Sequence, residues 1–312
     1  MSDIEIVTGA GPVGWTIASQ LAQQGRRVRV LTRSGSGPDH PLIERRKVDI
    51  NDAAALREAL DGAVAVYHCV HAAYEAAAWE RELPAAEQRV LEAAGVVGAV
   101  VVFPESLYSY DASEQPITEH TPRNATTGKR GVRTRLLQAR AASTTPTVSV
   151  VASDFFGPHV MNAHAGERMV PAVLAGKTMR VLGCADQPHS FTYVPDLADA
   201  MITAAHDRAL WNSVLHAPTA PAVTQRQLVE AFADAAGVPA PKVSGLPGWV
   251  FRAGGLIHRG TRELAEMLYQ FEEPFVMDSA ESEARLDLRP TPLARAAEDT
   301  VAWWQARVSA AG

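Results

Sequence analysis

The sequence is poor in cysteine, with only Cys69 and Cys184 among its 312 residues. Two cysteines cannot form a disulfide framework or complete a zinc site by themselves, so we expect no metal site and a reducing, cytoplasmic environment. Long hydrophobic runs are also absent, because the longest uncharged apolar stretch covers only residues 93–104 and is too short to span a bilayer. The first residues enter a strand-like run without the layout of a signal peptide. We therefore expect no membrane association.

Positive charge is not in excess, and lysine is rare. The formal net charge is −6 and the pI is about 5.9, which argues against a basic surface for DNA or RNA. Hydrophobic residues make up 47% and charged residues 21% of the chain, a composition typical of a globular protein with a buried core. We expect a small-molecule substrate as the partner, no nucleic acid, and a monomer or homodimer.

Strand-like and helix-like segments alternate through the first half of the sequence. Runs such as residues 4–9, 63–70 and 147–154 are nearly continuous in apolar and β-branched residues, which is typical of parallel strands buried on both faces. Helical patterns lie between such runs, for example at residues 13–24 and 73–94. This order predicts an α/β fold with a doubly wound parallel sheet.

The regular alternation fades after residue 154. The sequence predicts a first domain over residues 1–154 and a smaller, mixed lobe over residues 155–312, with a segment at about 190–216 returning to the first domain. At the level of single elements, the third strand is expected to end within residues 47–50, and a helix is expected over residues 167–175.

A glycine-rich turn follows the first predicted strand. Gly9, Gly11 and Gly14 fit the pattern G-x-G-x-x-G, with Pro12 and Val13 between the last two. In this pattern the first glycine permits a tight turn, the second lets the backbone approach a pyrophosphate, and the third allows close packing of helix on strand. The following helix presents free N–H groups to the phosphates. The position between strand and helix predicts a dinucleotide site.

The end of the second predicted strand bears on the choice of cofactor. An acidic residue there bonds the 2′-hydroxyl of the ribose in NAD-dependent proteins. Here the strand ends in Arg33 and Ser34, and no acid follows before Asp39. A guanidinium can pair with phosphate oxygens and stack on an adenine, so the sequence favours NADP(H). The alternative is an ordinary surface arginine that happens to follow a strand.

Segments along nearly the whole chain resemble the extended short-chain dehydrogenase/reductases, also described as NAD-dependent epimerase/dehydratase-like. The resemblance lies in VTGAGPVG, KVDINDAAALREAL, VYHCVHAAY, VVFPESLYSYD, SDFFGP, HSFTYVPDLADA and RPTPLARAAEDTVAWW. It implies a Rossmann domain at residues 1–154 followed by a substrate lobe. It also implies cofactor contacts from residues beyond the glycine turn: Asp49, Ile50, Cys69, Val70, His71, Pro104, Phe155 and Phe156.

The Tyr-x-x-x-Lys pair that is usual in this superfamily is missing. None of the six tyrosines is followed by lysine four positions later. The expected place offers Lys129 and Arg130, and Pro104 with Glu105 replaces the usual serine just before Ser106. The residues that we predict for catalysis are Ser106, Tyr108 and Lys129. Tyr110, His71, or the substrate's own phenols with water remain alternative proton donors.

Several side chains are expected to contact the substrate. They are Ser106, Tyr108, Phe156, Met161 and His189. The sequence resembles atypical ketoreductases that act on angucyclinone-type polyketides, which implies NADPH-dependent reduction of a carbonyl on a bulky, aromatic natural product. Two alternatives stay open: a sugar-nucleotide epimerase or dehydratase, and a redox sensor similar to NmrA-like regulators that binds dinucleotide without turnover.

Overall fold

The computed structural model describes residues 3–255 and 258–311. Its strands are β1 (Ile4–Thr8), β2 (Val28–Thr32), β3 (Ile43–Lys47), β4 (Ala63–His68), β5 (Val100–Ser106), β6 (Thr147–Ala152), β7 (Asp154–Phe156), β8 (Met179–Leu182), β9 (Phe191–Tyr193), β10 (Ser213–His216) and β11 (Val243–Leu246). Its helices are α1 (Pro12–Gln23), α2 (Ala53–Ala59), α3 (Ala76–Val97), α4 (Gly128–Ala141), α5 (Val170–Leu174), α6 (Val194–His206), α7 (Gln225–Ala236), α8 (Gly248–Gly255), α9 (Arg259–Ala265), α10 (Tyr269–Glu272), α11 (Ala280–Leu286) and α12 (Leu293–Ala311).

Seven strands form one sheet in the order β10-β6-β5-β4-β1-β2-β3. Each neighbouring pair in this sheet is parallel, which confirms the predicted α/β doubly wound fold. The chain order reverses between β1 and β4. In open parallel sheets, ligands bind in the crevice outside the carboxyl ends of the strands at such a reversal. The topology therefore predicts a ligand site among the residues that follow β1, β4, β5 and β6.

Helices cover both faces of the sheet. Successive side chains of a strand point to opposite faces, and β1 shows the result: Val7 lies in one core with Ile17 of α1 and Leu197 of α6, whereas Ile6 lies in a second core with Val90 of α3. All five residues of β1 are buried. This double burial explains the unbroken apolar runs in the sequence.

Two elements differ from the sequence-based expectation. The third strand lies at Ile43–Lys47 rather than ending within residues 47–50. It is an edge strand with the sequence IERRK and no fully buried residue, so it lacks the apolar signal of the central strands. The predicted helix at residues 167–175 is reduced to α5, because Pro171 enters its first turn and Gly176, with a φ of +61°, follows its end.

The C-terminal half contributes two small sheets and most of a third core. Strand β7 pairs with β9 and strand β8 pairs with β11, while Phe156, Phe232 of α7 and Trp304 of α12 pack in one cluster. Helix α7 begins with a capping box formed by Thr224 and Gln227. Strand β10 joins β6 in the main sheet, so this late segment forms one edge of the seven-stranded sheet. No helix within the described ranges combines the length and apolarity needed to cross a bilayer.

Candidate active site

The glycine turn after β1 has the geometry of a phosphate cradle. Gly9 adopts a φ of +88°, and a Cβ there would lie 3.0 Å from the carbonyl group of Cys69. A Cβ on Gly14 would clash with the carbonyl oxygen of Gly9, so helix α1 packs against the turn only without a side chain. A Cβ on Gly11 would meet nothing within 4 Å. The protein thus leaves no room for a side chain at Gly9 or Gly14. The space beside Gly11 is free for a ligand.

The start of α1 completes this cradle. The N-cap residue is Gly11, which has no side chain that could occupy the N–H groups of the first turn, and Pro12 lies within that turn. Helix N-termini carry unpaired N–H groups and a partial positive charge, which suit a pyrophosphate. The side chain of Val13 packs into the main core, so only its backbone is available for a ligand. These residues fit the pyrophosphate of a dinucleotide.

The end of β2 presents an exposed cation. Arg33 and Ser34 are both exposed, and the Ser34 hydroxyl lies 2.8 Å from that of Ser36. Within the described residues, Arg33 forms no ion pair, whereas the nearest acid along the chain, Asp39, pairs with Arg45 at 3.2 Å. An unpaired guanidinium at this place suits a 2′-phosphate. Selection of NADP(H) over NAD(H) therefore remains a prediction that this geometry supports.

Two residues predicted to contact the cofactor, Asp49 and Ile50, have different surroundings. Asp49 is exposed, and its carboxylate accepts hydrogen bonds from the backbone and side-chain amides of Asn51 at 2.9 Å. Ile50 is buried in the core between the sheet and helices α2 and α3. Its side chain cannot face a ligand, so any contribution to cofactor binding comes from its backbone.

The carboxyl end of β4 runs directly beside the glycine turn. The Cys69 amide donates to the carbonyl oxygen of Thr8 at 2.8 Å, and Cys69 and Val70 are half-buried. The ring of His71 accepts a hydrogen bond from Arg133 at 2.6 Å and contacts the Ala72 carbonyl oxygen at 2.8 Å. Desolvation and the Arg133 charge lower the pKa of His71 to about 4, so the ring is neutral at pH 7.

Lys129 is not available to a substrate. Its side chain is completely buried at the start of α4, and its ammonium group contacts the carboxylates of Glu263 and Glu266 at 2.6 Å each and the Glu263 carbonyl oxygen at 3.0 Å. A lysine has three N–H donors and no acceptor, and all three have protein partners here. This geometry argues against the predicted catalytic role of Lys129, which instead joins α4 to α9 and the residues just after it.

A group of phenols lies at the edge of the cleft after β4 and β5. The hydroxyl groups of Tyr74 and Tyr108 are 3.2 Å apart, and the Tyr108 ring stacks on Trp79 with 6.1 Å between centroids. The hydroxyl of Tyr269 is buried and has no hydrogen-bond partner in the described part of the chain. Burial, together with the negative charge of Asp154, raises the pKa values of Tyr108 and Tyr269. These phenols are therefore donors rather than bases at neutral pH.

The end of β5 is part of a buried network of ion pairs that joins Glu105, Arg140 and Glu87. Glu105 accepts a hydrogen bond from Arg140 at 2.8 Å, and Arg140 also binds Glu87 through two nitrogen atoms. The neighbouring Pro104 and Ser106 are half-buried, and the Ser106 hydroxyl has only a long contact of 3.4 Å with Glu105. Ser106 thus retains hydrogen-bonding capacity for a ligand, and its role as a site residue stays a prediction.

Three side chains predicted at the ligand have other surroundings. Phe156 is 2% exposed and packs against Tyr193 and Phe232, so it belongs to the core of the C-terminal lobe rather than to the site. Met161 is half-buried against that same core. Phe155, which precedes Phe156 on β7, points the other way and packs on the main core. Successive residues of a strand face opposite sides, and only the tertiary structure shows which side is filled.

His189 is also buried, but it contacts a residue that the sequence analysis passed over. Its Nε2 atom lies 2.8 Å from Oδ2 of Asp154, and its Nδ1 atom lies 3.0 Å from the carbonyl oxygen of Gln270. Asp154 begins β7 directly after the sheet strand β6 and is partly exposed. The position of an acid at the carboxyl end of a sheet strand was the available signal.

Three further residues at the cleft, Tyr74, Tyr269 and Arg133, had no comparable sequence signal. They come from different parts of the chain and meet only in the fold. Tyr74 reaches Tyr108 across 34 positions, and the guanidinium of Arg133 lies 4.7 Å from the ring centroid of Trp79 while its Nε atom is 3.4 Å from Glu105.

Comparisons with solved structures agree with the fold. The chain is similar to the enzyme WbmH of Bordetella bronchiseptica in complex with NAD+, with a TM-score of 0.77, 18% identity and 98% of each chain covered. It is similar to UDP-glucose 4-epimerase of Thermotoga maritima with UDP-glucose, with a TM-score of 0.76, 16% identity and coverage of 98% and 99%. It is also similar to UDP-glucose 4-epimerase of Thermus thermophilus with NAD, with a TM-score of 0.75, 19% identity and coverage of 97% and 99%.

The sequence itself matches one family over more than half of its length. No curated protein matches it in a sequence search. The model of the NAD dependent epimerase/dehydratase family matches residues 6–212, a range that begins within β1 and ends just before β10. It includes the glycine turn, the phenols Tyr74 and Tyr108, and Asp154. The chain therefore belongs to the NAD dependent epimerase/dehydratase family.

Proposed function

We propose that this protein is an NADP(H)-dependent ketoreductase that reduces a carbonyl group on a bulky, uncharged compound, with an aromatic polyketide as the favoured substrate class. The observation that carries the proposal is the combination of a dinucleotide cradle with the hydrogen-bonded phenols Tyr74 and Tyr108, in a chain without the Tyr-x-x-x-Lys pair. Reduction of a ketone by a reduced nicotinamide depends strongly on positioning and less on a strong protein base.

The cleft favours a neutral substrate over a nucleotide diphosphate. A diphosphate needs unpaired cations, but the basic side chains at the start of α4 have protein partners. Lys129 binds two carboxylates, Arg130 donates to the carbonyl oxygens of Tyr108 and Tyr110, and Arg133 pairs with His71 and Glu105.

Polar groups without partners indicate where an uncharged substrate would bind. The Tyr269 hydroxyl and the Nδ1 atom of His164 are buried and unpaired within the described residues. The pKa of each group responds first to burial and also to the charge of Asp154, so both lie in its electrostatic neighbourhood. Buried polar atoms normally find a hydrogen-bond partner, and hydroxyl or carbonyl groups of a ring system would supply one.

The chain's own residues have three tasks in such a reaction. The glycine turn and Arg33 bind the dinucleotide, which when bound supplies a hydride. The paired hydroxyls of Tyr74 and Tyr108, with Ser106 close in sequence, orient the oxygen of the substrate by hydrogen bonding. Lys129 holds α9 and Glu266, the residue just after it, to the start of α4, and thereby fixes the segment that carries Tyr269.

A sugar-nucleotide epimerase or dehydratase is the second candidate, because two of the similar structures are UDP-glucose 4-epimerases. That chemistry would require a strong base in the cleft, whereas burial raises the pKa of Tyr108. A sensor that binds dinucleotide without turnover is the outcome expected if no substrate reacts.

Oxidation of NADPH at 340 nm tests the proposal. The purified protein is incubated with a panel of aryl ketones and quinones and, in parallel, with UDP-sugars, and the products are identified by mass spectrometry. We expect NADPH-dependent formation of an alcohol from an aromatic ketone. Conversion of a UDP-sugar with bound NAD would replace the proposal by the second candidate. Tight NADPH binding with no turnover on either panel would favour the sensor.

A further inference from the structure

Two polar groups near the carboxyl end of the sheet are open to a ligand and have opposite hydrogen-bonding character. The side chain of Asp154 is 23% exposed, and its Oδ1 atom, which solvent reaches, has no partner within residues 3–255 and 258–311. Tyr74 is 42% exposed, and its hydroxyl contacts the hydroxyl of Tyr108. An unprotonated carboxyl oxygen accepts hydrogen bonds, whereas a phenol can donate one. A ligand that contacts both groups must therefore offer a donor to Asp154 and an acceptor to Tyr74.

The contact between Asp154 and His189 fixes the carboxyl group without using Oδ1. The Nε2 atom of His189 lies 2.8 Å from Oδ2, and the Nδ1 atom lies 3.0 Å from the carbonyl oxygen of Gln270. The ring is 2% exposed and stacks on Phe271 with 4.8 Å between centroids. A hydrogen in the contact lies between Nε2 and Oδ2 whichever of the two atoms carries it, so Oδ1 keeps its acceptor lone pairs in either case. Oδ1 is therefore a hydrogen-bond acceptor in a fixed position.

The sheet places the acid and the phenols side by side. In the ladder between β5 and β6, Ser106 lies opposite Ala152, and Tyr108 and Asp154 each follow this pair by two residues. Neighbouring strands are about 4.8 Å apart, and the hydroxyl of Tyr74, after β4, is 3.2 Å from that of Tyr108. Burial first, and the charge of Asp154 in addition, raises the pKa values of both phenols. The acceptor and the phenol pair thus belong to one site.

The phenol pair leaves one hydrogen for a ligand. A hydroxyl donates one hydrogen bond and accepts up to two. Tyr108 is half-buried, its ring stacks on Trp79, and its hydroxyl has Tyr74 as its hydrogen-bond partner in the described part of the chain. Since buried polar atoms normally use their hydrogen-bonding capacity, Tyr108 donates in this contact. The hydrogen of the more exposed Tyr74 hydroxyl is then free to bind a carbonyl oxygen.

We propose that Asp154 is a specificity-determining residue that selects ketones carrying a hydroxyl group on their ring system. The inference rests on the proposed function and deepens it. The substrate hydroxyl donates to Oδ1 of Asp154, and the substrate carbonyl oxygen accepts from the hydroxyl of Tyr74. His189 is the positioning residue that holds the acceptor in place. A methoxy group has no hydrogen to donate, so the methyl ether of the same compound leaves Oδ1 unpaired and binds more weakly.

Binding to the NADP⁺-loaded protein tests this selection without turnover, because the oxidised cofactor has no hydride to transfer to a ketone. The ligands are acetylnaphthols that differ in the position of the hydroxyl group, their methyl ethers and the parent acetylnaphthalenes, and calorimetry gives each dissociation constant. A hydrogen bond to a charged group changes affinity by about tenfold or more. At least one acetylnaphthol should therefore bind more tightly than its ether and its parent by this factor. A preference below about threefold for every acetylnaphthol would overturn the proposal.

Two variants assign the preference to individual groups. Asp154→Ala should bring the preferred acetylnaphthol and its ether within about threefold of each other, whereas Tyr74→Phe should weaken both ligands by similar factors, because both retain the carbonyl group. Asp186→Ala is the matched control, since this exposed acid pairs with Arg226 at the start of α7, and it should keep the wild-type preference. Thermal unfolding of each variant checks that it is folded. A folded Asp154→Ala protein that still prefers the hydroxyl would contradict the assignment.

His189 is tested by the same ratio of affinities. His189→Gln should reduce the preference for the acetylnaphthol over its ether, because the carboxyl group of Asp154 loses its fixed position. A merely structural role would weaken both ligands equally and leave the ratio unchanged. An unchanged ratio would therefore reject His189 as a positioning residue.

The binding and NADPH assays distinguish this inference from the proposed function. Reduction of ketones without any hydroxyl preference would overturn the inference and leave the proposed function intact. A hydroxyl preference that depends on Asp154, without oxidation of NADPH by any ketone, would support the recognition of a hydroxylated ring and reject the reductase. UDP-glucose is the parallel probe, because sugar hydroxyls are also donors. Tighter binding of UDP-glucose than of any acetylnaphthol, lost in Asp154→Ala, would overturn the assignment of a ketone to this site.

Discussion

Gly11 and Gly14 belong to one motif but have opposite surroundings, which allows a paired prediction. A Cβ at position 14 clashes with the Gly9 carbonyl oxygen, whereas a Cβ at position 11 enters open space. We expect Gly14→Ala to lower the free energy of unfolding by about 1–3 kcal/mol through overpacking. Gly11→Ala should cost no more than about 1 kcal/mol as an N-cap change.

The Gly11→Ala substitution should affect NADPH affinity more strongly than it affects the free energy of unfolding. Gly11→Ala fills the place of the pyrophosphate, so NADPH affinity measured by fluorescence titration should fall by about tenfold or more, equal to about 1.4 kcal/mol. Urea unfolding of the same protein supplies the stability value. Normal NADPH binding by Gly11→Ala would contradict the assignment of this turn as the phosphate cradle.

Arg33 decides the preference between the two nicotinamide cofactors in our proposal. Charge-assisted hydrogen bonds contribute about 1.5–3 kcal/mol, so Arg33→Ala should weaken NADPH binding by about 10- to 100-fold and leave NADH binding nearly unchanged. Both dissociation constants are measured at the same ionic strength, and the exposed Arg180 on β8 supplies the control variant Arg180→Ala. Equal losses for the two cofactors, or tighter binding of NADH by the wild type, would remove the argument for NADP(H).

At the scale of elements, Lys129 joins three helices. The same ammonium group holds Glu263 of α9 and Glu266 just beyond it to the start of α4, and Glu263 also accepts the amide of Ala76 at the start of α3. Removing one partner of a buried ion pair leaves unpaired charge and costs about 3–5 kcal/mol. We predict a loss of about 3 kcal/mol for Lys129→Met in urea unfolding.

A combined variant distinguishes charge from packing in this prediction. Lys129→Met together with Glu263→Gln and Glu266→Gln removes the unpaired carboxylates, so part of the lost stability should return. The exposed Lys177 provides the control Lys177→Met, which should unfold like the wild type. A Lys129→Met protein as stable as the control would show that the ion pairs contribute nothing net.

Two helices end at residues whose type alone favours a helix boundary. Helix α7 follows the cap residue Thr224 and ends before Gly237, whose φ is +66°. Helix α2 is capped by Asp52, whose side chain accepts hydrogen bonds from the first turn. The observed position of β3 agrees least with its prediction. As an edge strand, β3 is held by hydrogen bonds to β2 and has no apolar pattern of its own.

At the scale of the whole molecule, buried histidine links stability to pH. His68 ends β4 inside the protein, its Nδ1 atom lies 2.8 Å from the Thr8 hydroxyl, and burial lowers its pKa to about 4. The unfolded chain, with a histidine pKa of about 6.5, binds the proton first as the pH falls. This contribution to stability is therefore present above about pH 6.5 and is lost towards pH 4.

The pH dependence can be measured as a difference between variants. Between pH 7 and pH 5 the wild type should lose about 2 kcal/mol of unfolding free energy through His68, measured by urea denaturation. His68→Gln should be less stable at pH 7 but should lose less on acidification. His40→Gln, at an exposed position, should follow the wild-type slope. Parallel curves for wild type and His68→Gln would refute the assignment.

The candidate site could be predicted only in part. The cradle lies within six consecutive residues, so its geometry follows from local sequence, and Arg33 follows from the end of one strand. Lys129 was singled out from its place near the missing tyrosine, but its partners Glu263 and Glu266 lie more than 130 positions away. Asp154 and His189 are 35 positions apart, and β7 and β9, whose pairing brings them together, are too short to have a recognisable pattern.

The sequence by itself determined the α/β alternation, the parallel sheet and the glycine turn, because each depends on neighbouring residues: apolar runs, caps and left-handed glycines. The tertiary structure alone decided which ionisable groups face a ligand and which neutralise one another. Burial and pairing depend on contacts between distant segments, so Lys129 became a structural cation and Phe156 a core residue. The same contacts brought His189 within 2.8 Å of Asp154, next to the carboxyl end of β6.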